Sequence, residues 1–116
     1  MFTAISPDKG SLAMAVSPAN GNLDIYVLEL ATKELTRLTT NENADIMPVW
    51  HPSGTAISYT SNANGVPNIH TINLSNQKMT VNTDVGDGIW TKQWMPNDSA
   101  ILAMTLNAVD LSLIHI

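Results

Sequence analysis

Cysteine is absent from this chain of 116 residues, which excludes disulfides, thiolate metal sites and a cysteine nucleophile within it. Basic side chains are scarce. Lys9, Lys33, Arg37, Lys78 and Lys92 stand against ten acidic residues, giving a formal charge of −5. So few and so scattered, they form no patch that would hold nucleic acid or an anionic membrane. No apolar run approaches the roughly 18 residues of a membrane-spanning helix. Met1-Phe2-Thr3 has neither a basic n-region nor an apolar h-region, so the sequence expects a secretory leader upstream of these residues or none at all. Helical patterning is missing too, because no stretch sustains apolar residues at i, i+3, i+4 and i+7.

What the sequence does contain is a repeat. Sliding the chain by 44 residues lays Gly10–Pro52 over Gly54–Pro96 without a gap, and 11 of 43 aligned positions are identical. They include Gly10/Gly54, Ser17/Ser61, Ile25/Ile69, Leu30/Leu74, Thr36/Thr80, Thr39/Thr83, Trp50/Trp94 and Pro52/Pro96. A period of about 40 to 50 residues marks a propeller blade or a solenoid unit. Short apolar runs between turn residues predict strands at Phe2–Ile5, Leu12–Ser17, Leu23–Glu29 and Leu35–Thr39 in the first copy. In the second copy they fall at Ile46–Trp50, Ala56–Ser61, Asn68–Asn73 and Lys78–Thr83. Four short strands per period is a blade. The fold class expected is therefore all-β, a partial β-propeller of four-stranded antiparallel blades, two of them complete and a third begun.

Turn chemistry agrees with that count. Asn20-Gly21 and Asn64-Gly65 separate the second and third strands of each copy, and both residue types tolerate the positive φ of tight hairpin turns. Ser6-Pro7-Asp8, His51-Pro52-Ser53 and Met95-Pro96-Asn97 each follow a first strand, where proline's fixed φ and missing N–H suit a corner. Trp50 and Trp94 precede the second and third corners, with Ile5 in their place at the first. A tryptophan recurring at a structural period reads as packing between blades.

The runs Ile5-Ser6-Pro7-Asp8-Lys9-Gly10-Ser11-Leu12-Ala13, Asp24-Ile25-Tyr26-Val27-Leu28 and Leu35-Thr36-Arg37-Leu38-Thr39 resemble the WD-like repeat of TolB-type β-propellers. The match recurs in Pro48–Ser61. It departs at Ser53, Asn68 and Asn97, where the family usually has Asp, and at Asp98, where it usually has Gly. The resemblance covers nearly all of Phe2–Asp110. It implies a non-catalytic, protein-binding propeller in the periplasm or cell envelope, with a protein or peptide partner docked at the channel mouth. The alternative is the gating propeller of a prolyl oligopeptidase-like serine peptidase, whose catalytic domain would lie outside these residues. A propeller fused to an amidohydrolase or to a surface sensor is a third reading.

The domain expectation follows: blade 1 over about 2–45, blade 2 over about 46–89 and the start of blade 3 over about 90–110. Two units and part of a third fall short of the about four to eight blades of a closed ring, so an incomplete propeller prone to self-association is expected. Leu111–Ile116 resembles the conceptual translation of a transposon end used in sequencing libraries, a processing scar to be set aside. The alternative is that Leu106–Ile116 is a real strand continuing the third blade.

Chemistry is thin. No Gly-x-Ser-x-Gly elbow occurs, His51 aligns with Ser6 and Met95, and His70 aligns with Tyr26, so both histidines read as blade positions. The connections between blades, Asn41–Asp45 and Asp84–Gly88, cluster oxygens. Such clusters hold calcium in some proteins, but more commonly they are solvated turn formers, and neither metal nor cofactor is expected. In a propeller these connections share a rim with the second-to-third strand loops, Pro18–Asn22 and Asn62–Pro67, and loops on a rigid frame are where binding usually resides. The candidate partner-binding residues are accordingly Asn41, Glu42, Asn43, Asp45, Asp84 and Asp87.

Overall fold

Alternating apolar residues in runs of about five, cut by Pro and Gly corners, leave the backbone one economical solution, antiparallel strands joined in sequence order. The computed structural model describes residues 2–17, 22–40, 43–62, 65–83, 89–94, 100–105 and 111–115, with side chains for these other than 2, 90–94, 100–105 and 111–115. The first sheet runs β1 (Phe2–Ile5), β2 (Ser11–Val16), β3 (Asp24–Glu29) and β4 (Leu35–Arg37). The second runs β5 (Asp45–Trp50), β6 (Ala56–Ser61), β7 (Asn68–Asn73) and β8 (Met79–Val81). A third sheet holds β9 (Ile89–Trp94), β10 (Ala100–Thr105) and β11 (Leu111–His115) in the order β11-β10-β9. No helix occurs among the described residues. Leu111–His115, set apart above as a foreign tail, pairs with β10 from Ala100↔His115 to Met104↔Leu111. The outer strands β4 and β8 are shorter than expected. Leu38 and Asn82 carry the pairing one residue further, donating their N–H groups to the Ile25 and Ile69 carbonyls at 2.8 Å each.

Strand pairing refines the repeat. Ile46 pairs with Thr60 as Phe2 does with Ala15, an offset of 44 between Phe2 and Ile46. Past that point Trp50 pairs with Ile57 as Ile5 does with Leu12, an offset of 45. The extra residue is a bulge in β5 between Ile46 and Val49, where Met47 has φ 55 and Pro48 has no N–H to give the ladder, the usual place for a proline inside a sheet. The offset of 45 then persists through the corner and β2. Lys9 and Gly54 hold the same left-handed place, at φ 62 and φ 78. Gly10 N–H donates to Asp8 Oδ1 at 2.8 Å, as Thr55 N–H donates to Ser53 Oγ at 3.3 Å. The connection 17–23 is one residue longer than 62–67, which returns the offset to 44 from β3 onward. Gly10/Gly54 and Ser17/Ser61 are therefore identities without structural equivalence, and the gap-free alignment joins two compensating changes.

The core lies between the first two sheets. Ala13, Ala15 and Ile25 on one side meet Ile57, Tyr59 and Ile72 on the other, with Leu23, Val27, Leu38, Ile46, Trp50 and Leu74 packed around them. Ile25, Ile57 and Ile69 are fully buried, each worth about 1.5–3 kcal/mol over exposure. Trp50 Nε1 donates to the Ala4 carbonyl at 2.8 Å, which ties the inner strand of the second sheet to that of the first.

Candidate functional site

The rim is built on a polar frame at the end of each β3-type strand. In the first sheet Asp24, 0% exposed, receives Arg37 Nη2 at 2.5 Å and the Thr39 hydroxyl at 3.2 Å. Thr39 Oγ1 also accepts the Ile25 N–H at 2.9 Å, and the Arg37 guanidinium lies 5.9 Å from the Tyr26 ring centroid. The Asp24 carboxylate raises the Arg37 pKa above its ordinary value, chiefly through that hydrogen bond. In the second sheet Asn68 replaces Asp24 and Val81 replaces Arg37, while Thr83 keeps the threonine's place. Thr83 donates to Asn68 Oδ1 at 2.8 Å and accepts the Ile69 N–H at 2.9 Å. A neutral Asn68 suits this place: without an arginine nearby, a buried carboxylate would carry uncompensated charge.

These frames hold the connections together. Asp45 N–H donates to the Leu23 carbonyl at 2.8 Å, Asn62 N–H to the Ala44 carbonyl at 3.1 Å and Ile89 N–H to the Pro67 carbonyl at 2.8 Å. The first residues of β5 and β9 are thus bonded to second-to-third strand loops at the same end of the sheets. Of the candidate residues, Asn43 is half-buried at this end, while Asn41, Glu42, Asp84 and Asp87 lie outside the described residues. Asp45 sits in the interior at 0% exposure. Composition marked it as a loop acid, but its N–H belongs to the first position of β5, and that pairing carries the side chain inward.

Near Asp45 lies a buried pair, Tyr59 and His70, of which the sequence marked only His70, as a blade position. His70 is 3% exposed and Tyr59 is 2% exposed, and their ring centroids are 5.7 Å apart at 48°. Burial pushes the Tyr59 hydroxyl well above its usual range, with the carboxylates of Asp45 and Asp24 adding to the effect. Burial lowers the His70 pKa, and the Asp45 charge partly opposes this; Nε2 has no hydrogen-bond partner. The sign of the linkage follows. An unfolded histidine titrates near about 6.5, so above that pH His70 is neutral in both states. As pH falls through it the unfolded chain takes up the proton first, and stability is lost until the lower folded pKa is passed. Between neutral and mildly acid pH, wild type is expected to lose stability more steeply than His70→Tyr, which installs the residue found at the equivalent Tyr26. Parallel denaturation profiles would contradict this.

The opposite end of the sheets carries two adjoining clefts between the first and second blades. One, of about 240 Å³, includes Ser6, Asp8, Trp50, Ser53 and Gly54 in its lining. The other, of about 230 Å³, includes Val27, Glu29, Thr36 and Gln77 in its lining. Ser6 Oγ donates to Asp8 Oδ1 at 2.6 Å, and this bond, followed by the one from Gly10 N–H, holds the Asp8 carboxyl below its usual range. These are corner contacts, and their repetition around His51, Ser53 and Thr55 marks them as scaffold. Among the described residues no three His, Asp or Glu side chains converge to hold a metal, and no helix is long and apolar enough to cross a membrane.

Comparison with known proteins agrees with this geometry. The chain is 29% identical over 92 residues to the Tol-Pal system protein TolB of Desulfosudis oleivorans, which covers 79% of this chain and 20% of that protein. The chain therefore spans about a fifth of that relative's length. The structure of putative TolB from Agrobacterium tumefaciens superposes with a TM-score of 0.78 at 18% identity, over 98% of this chain and 49% of that one. TolB from Acinetobacter baumannii superposes with a TM-score of 0.79 at 22% identity, over 97% of this chain and 28% of that one. At such identities the superpositions speak to the fold alone. The TolB beta propeller domain, PD40, matches residues 2–115, and this chain belongs to that TolB β-propeller family.

Proposed function

We propose that this chain is a non-catalytic scaffold that holds a protein or peptide partner on its loop rim, in a periplasmic or cell-envelope setting. The observation that carries the proposal is the set of backbone hydrogen bonds from Asp45 to Leu23, Asn62 to Ala44 and Ile89 to Pro67. They fix several connections in one frame, and a prefixed frame binds with little ordering cost. Membership in the TolB propeller family and a relative named for the Tol-Pal system support a partner that is itself a protein of such a system. Glu42, Asp84 and Asp87 give the rim loops negative charge, which favours a partner of complementary charge and acts mainly on association rate. Asn41 and Asn43 complete the proposed contact set, while Asp45 supports it from within.

The test is the association rate with candidate Tol-Pal components at low and high salt. Replacing Glu42, Asp84 and Asp87 together with Ser is expected to slow association roughly tenfold at low salt and to flatten the salt dependence, with the fold intact. A wild-type rate at low salt would overturn the rim assignment. Turnover of a peptide substrate by the purified protein would overturn the non-catalytic reading.

A further inference from the structure

The two clefts at the end of the sheets opposite the rim form one groove, because Ser11, Val27 and Leu74 line both. At about 240 and 230 Å³, each alone falls below the about 300–1,000 Å³ of most ligand sites, and together they reach it. The floor is apolar. Val27 and Leu38 from the first blade and Trp50 and Leu74 from the second border the interblade core, yet all four stay half-buried, so the core opens to solvent along this line.

The border is acidic. Asp8 lines one cleft, Glu29 and Glu34 line the other, and all three are exposed. Lys9, Lys33 and Lys78 adjoin groove residues in sequence, but no lysine or arginine is among the described residues that line either cleft. None of the three carboxylates forms an ion pair with a described residue. The hydrogen bonds from Ser6 Oγ and Gly10 N–H to Asp8 both fall on Oδ1, which leaves the second oxygen able to accept a further donor.

We propose that this groove docks an extended basic segment of another protein, with an apolar side chain on the floor and a basic side chain at each end. Charge selects the occupant, because the groove presents three carboxylates without a counterion, and a second copy of this chain, at −5, would bring more of the same sign. Geometry sets the spacing. Asp8 stands at the β1–β2 corner and Glu34 just before β4, and these turns are tied side by side: Leu30 N–H donates to the Gly10 carbonyl and Glu29 N–H to the Glu34 carbonyl, each at 2.9 Å. Two to three strand spacings of about 4.8 Å therefore separate the acids, about 10–14 Å. In an extended segment residues i, i+2 and i+4 share one face, and i to i+4 spans about 13 Å. The fitting pattern is basic, apolar and basic at alternate positions. Lys33-Glu34-Leu35-Thr36-Arg37 has that spacing in this chain, but it forms β4 and its arginine is held by Asp24. The groove lies away from the rim, and its partner is independent of the rim's.

The probe is a fluorescently labelled peptide of nine residues, serine except for lysine at its third and seventh positions and leucine at its fifth. It is titrated into the full-length protein at low salt and followed by anisotropy. Saturable binding is expected, about tenfold tighter than that of a peptide of the same composition with its lysines adjacent. Replacing Glu29 and Glu34 together with Gln, both exposed in the folded chain, should weaken binding about tenfold, whereas the Glu42, Asp84 and Asp87 to Ser variant should bind as wild type does. Benzoylphenylalanine in place of the leucine should cross-link to the strands carrying Val27 or Leu74. Absence of binding to the full-length protein would mean that a segment of its own fills the groove, and would overturn the proposal. So would equal affinity for the rearranged peptide, full binding by the Gln variant, loss of binding in the rim variant, or cross-links elsewhere.

Discussion

Trp50→Ala is expected to lower the free energy of unfolding by about 3 kcal/mol, the lower end of the range for truncating a packed aromatic side chain. The indole packs at the edge of the apolar core, and its N–H is committed to the Ala4 carbonyl at 2.8 Å. Both contacts cross from one blade to the next. Small domains have only about 5–15 kcal/mol in total, so the variant should be conspicuously fragile. Trp50→Phe separates the two contributions. It keeps most of the ring contact and gives up the hydrogen bond, leaving the Ala4 carbonyl to find another donor, a loss of about 1 kcal/mol. Urea denaturation of the two variants measures the difference. If Trp50→Ala costs no more than Trp50→Phe, packing between blades does not depend on the indole, and its recurrence at Trp94 has another cause.

The repeat, the strand count and the interblade role of Trp50 were all legible in the sequence, because blade packing repeats the same side-chain demands at a fixed period. The register was not. A bulge at Met47-Pro48 adds one residue and the connection 17–23 supplies the compensating one, so an alignment without gaps scores well while misplacing the whole of β2. Only the pairing of Ile5 with Leu12 and Trp50 with Ile57 reveals it. Pro48 was a signal in principle, since a proline within a strand points to an edge or a bulge. Asp45 escaped for a different reason. Loop composition identifies acids but not which of them begins the next strand, and one residue decides between solvent and interior. The departures at Ser53 and Asn68 were visible as departures, yet their meaning required partners: Ser53 caps its corner with a hydroxyl where Asp8 uses a carboxylate, and Val81 stands at the second blade's counterpart of Arg37, so Asn68 has no arginine where Asp24 has one.

That last contrast makes the strongest energetic test in the molecule, because the second blade already displays the neutral solution to the problem the first solves with charge. Arg37→Val in the first blade leaves the Asp24 carboxylate, 0% exposed, with the Thr39 hydroxyl at 3.2 Å and no cation. An ion deprived of its partner in the interior is far costlier than a neutral amide in the same place, so this single variant should be the least stable of the set. Asp24→Asn alone should be milder, since the half-exposed guanidinium keeps its water and its approach to the Tyr26 ring. The double variant Asp24→Asn with Arg37→Val reproduces the Asn68–Val81 arrangement, in which Thr83 donates to Asn68 Oδ1 at 2.8 Å. It should recover more than half of what Arg37→Val loses, a favourable coupling between neighbouring sites. Midpoints of chemical denaturation for wild type and the three variants close the cycle. Additive losses would mean that Asp24 and Arg37 act independently, and the paired change in the second blade would then owe nothing to charge.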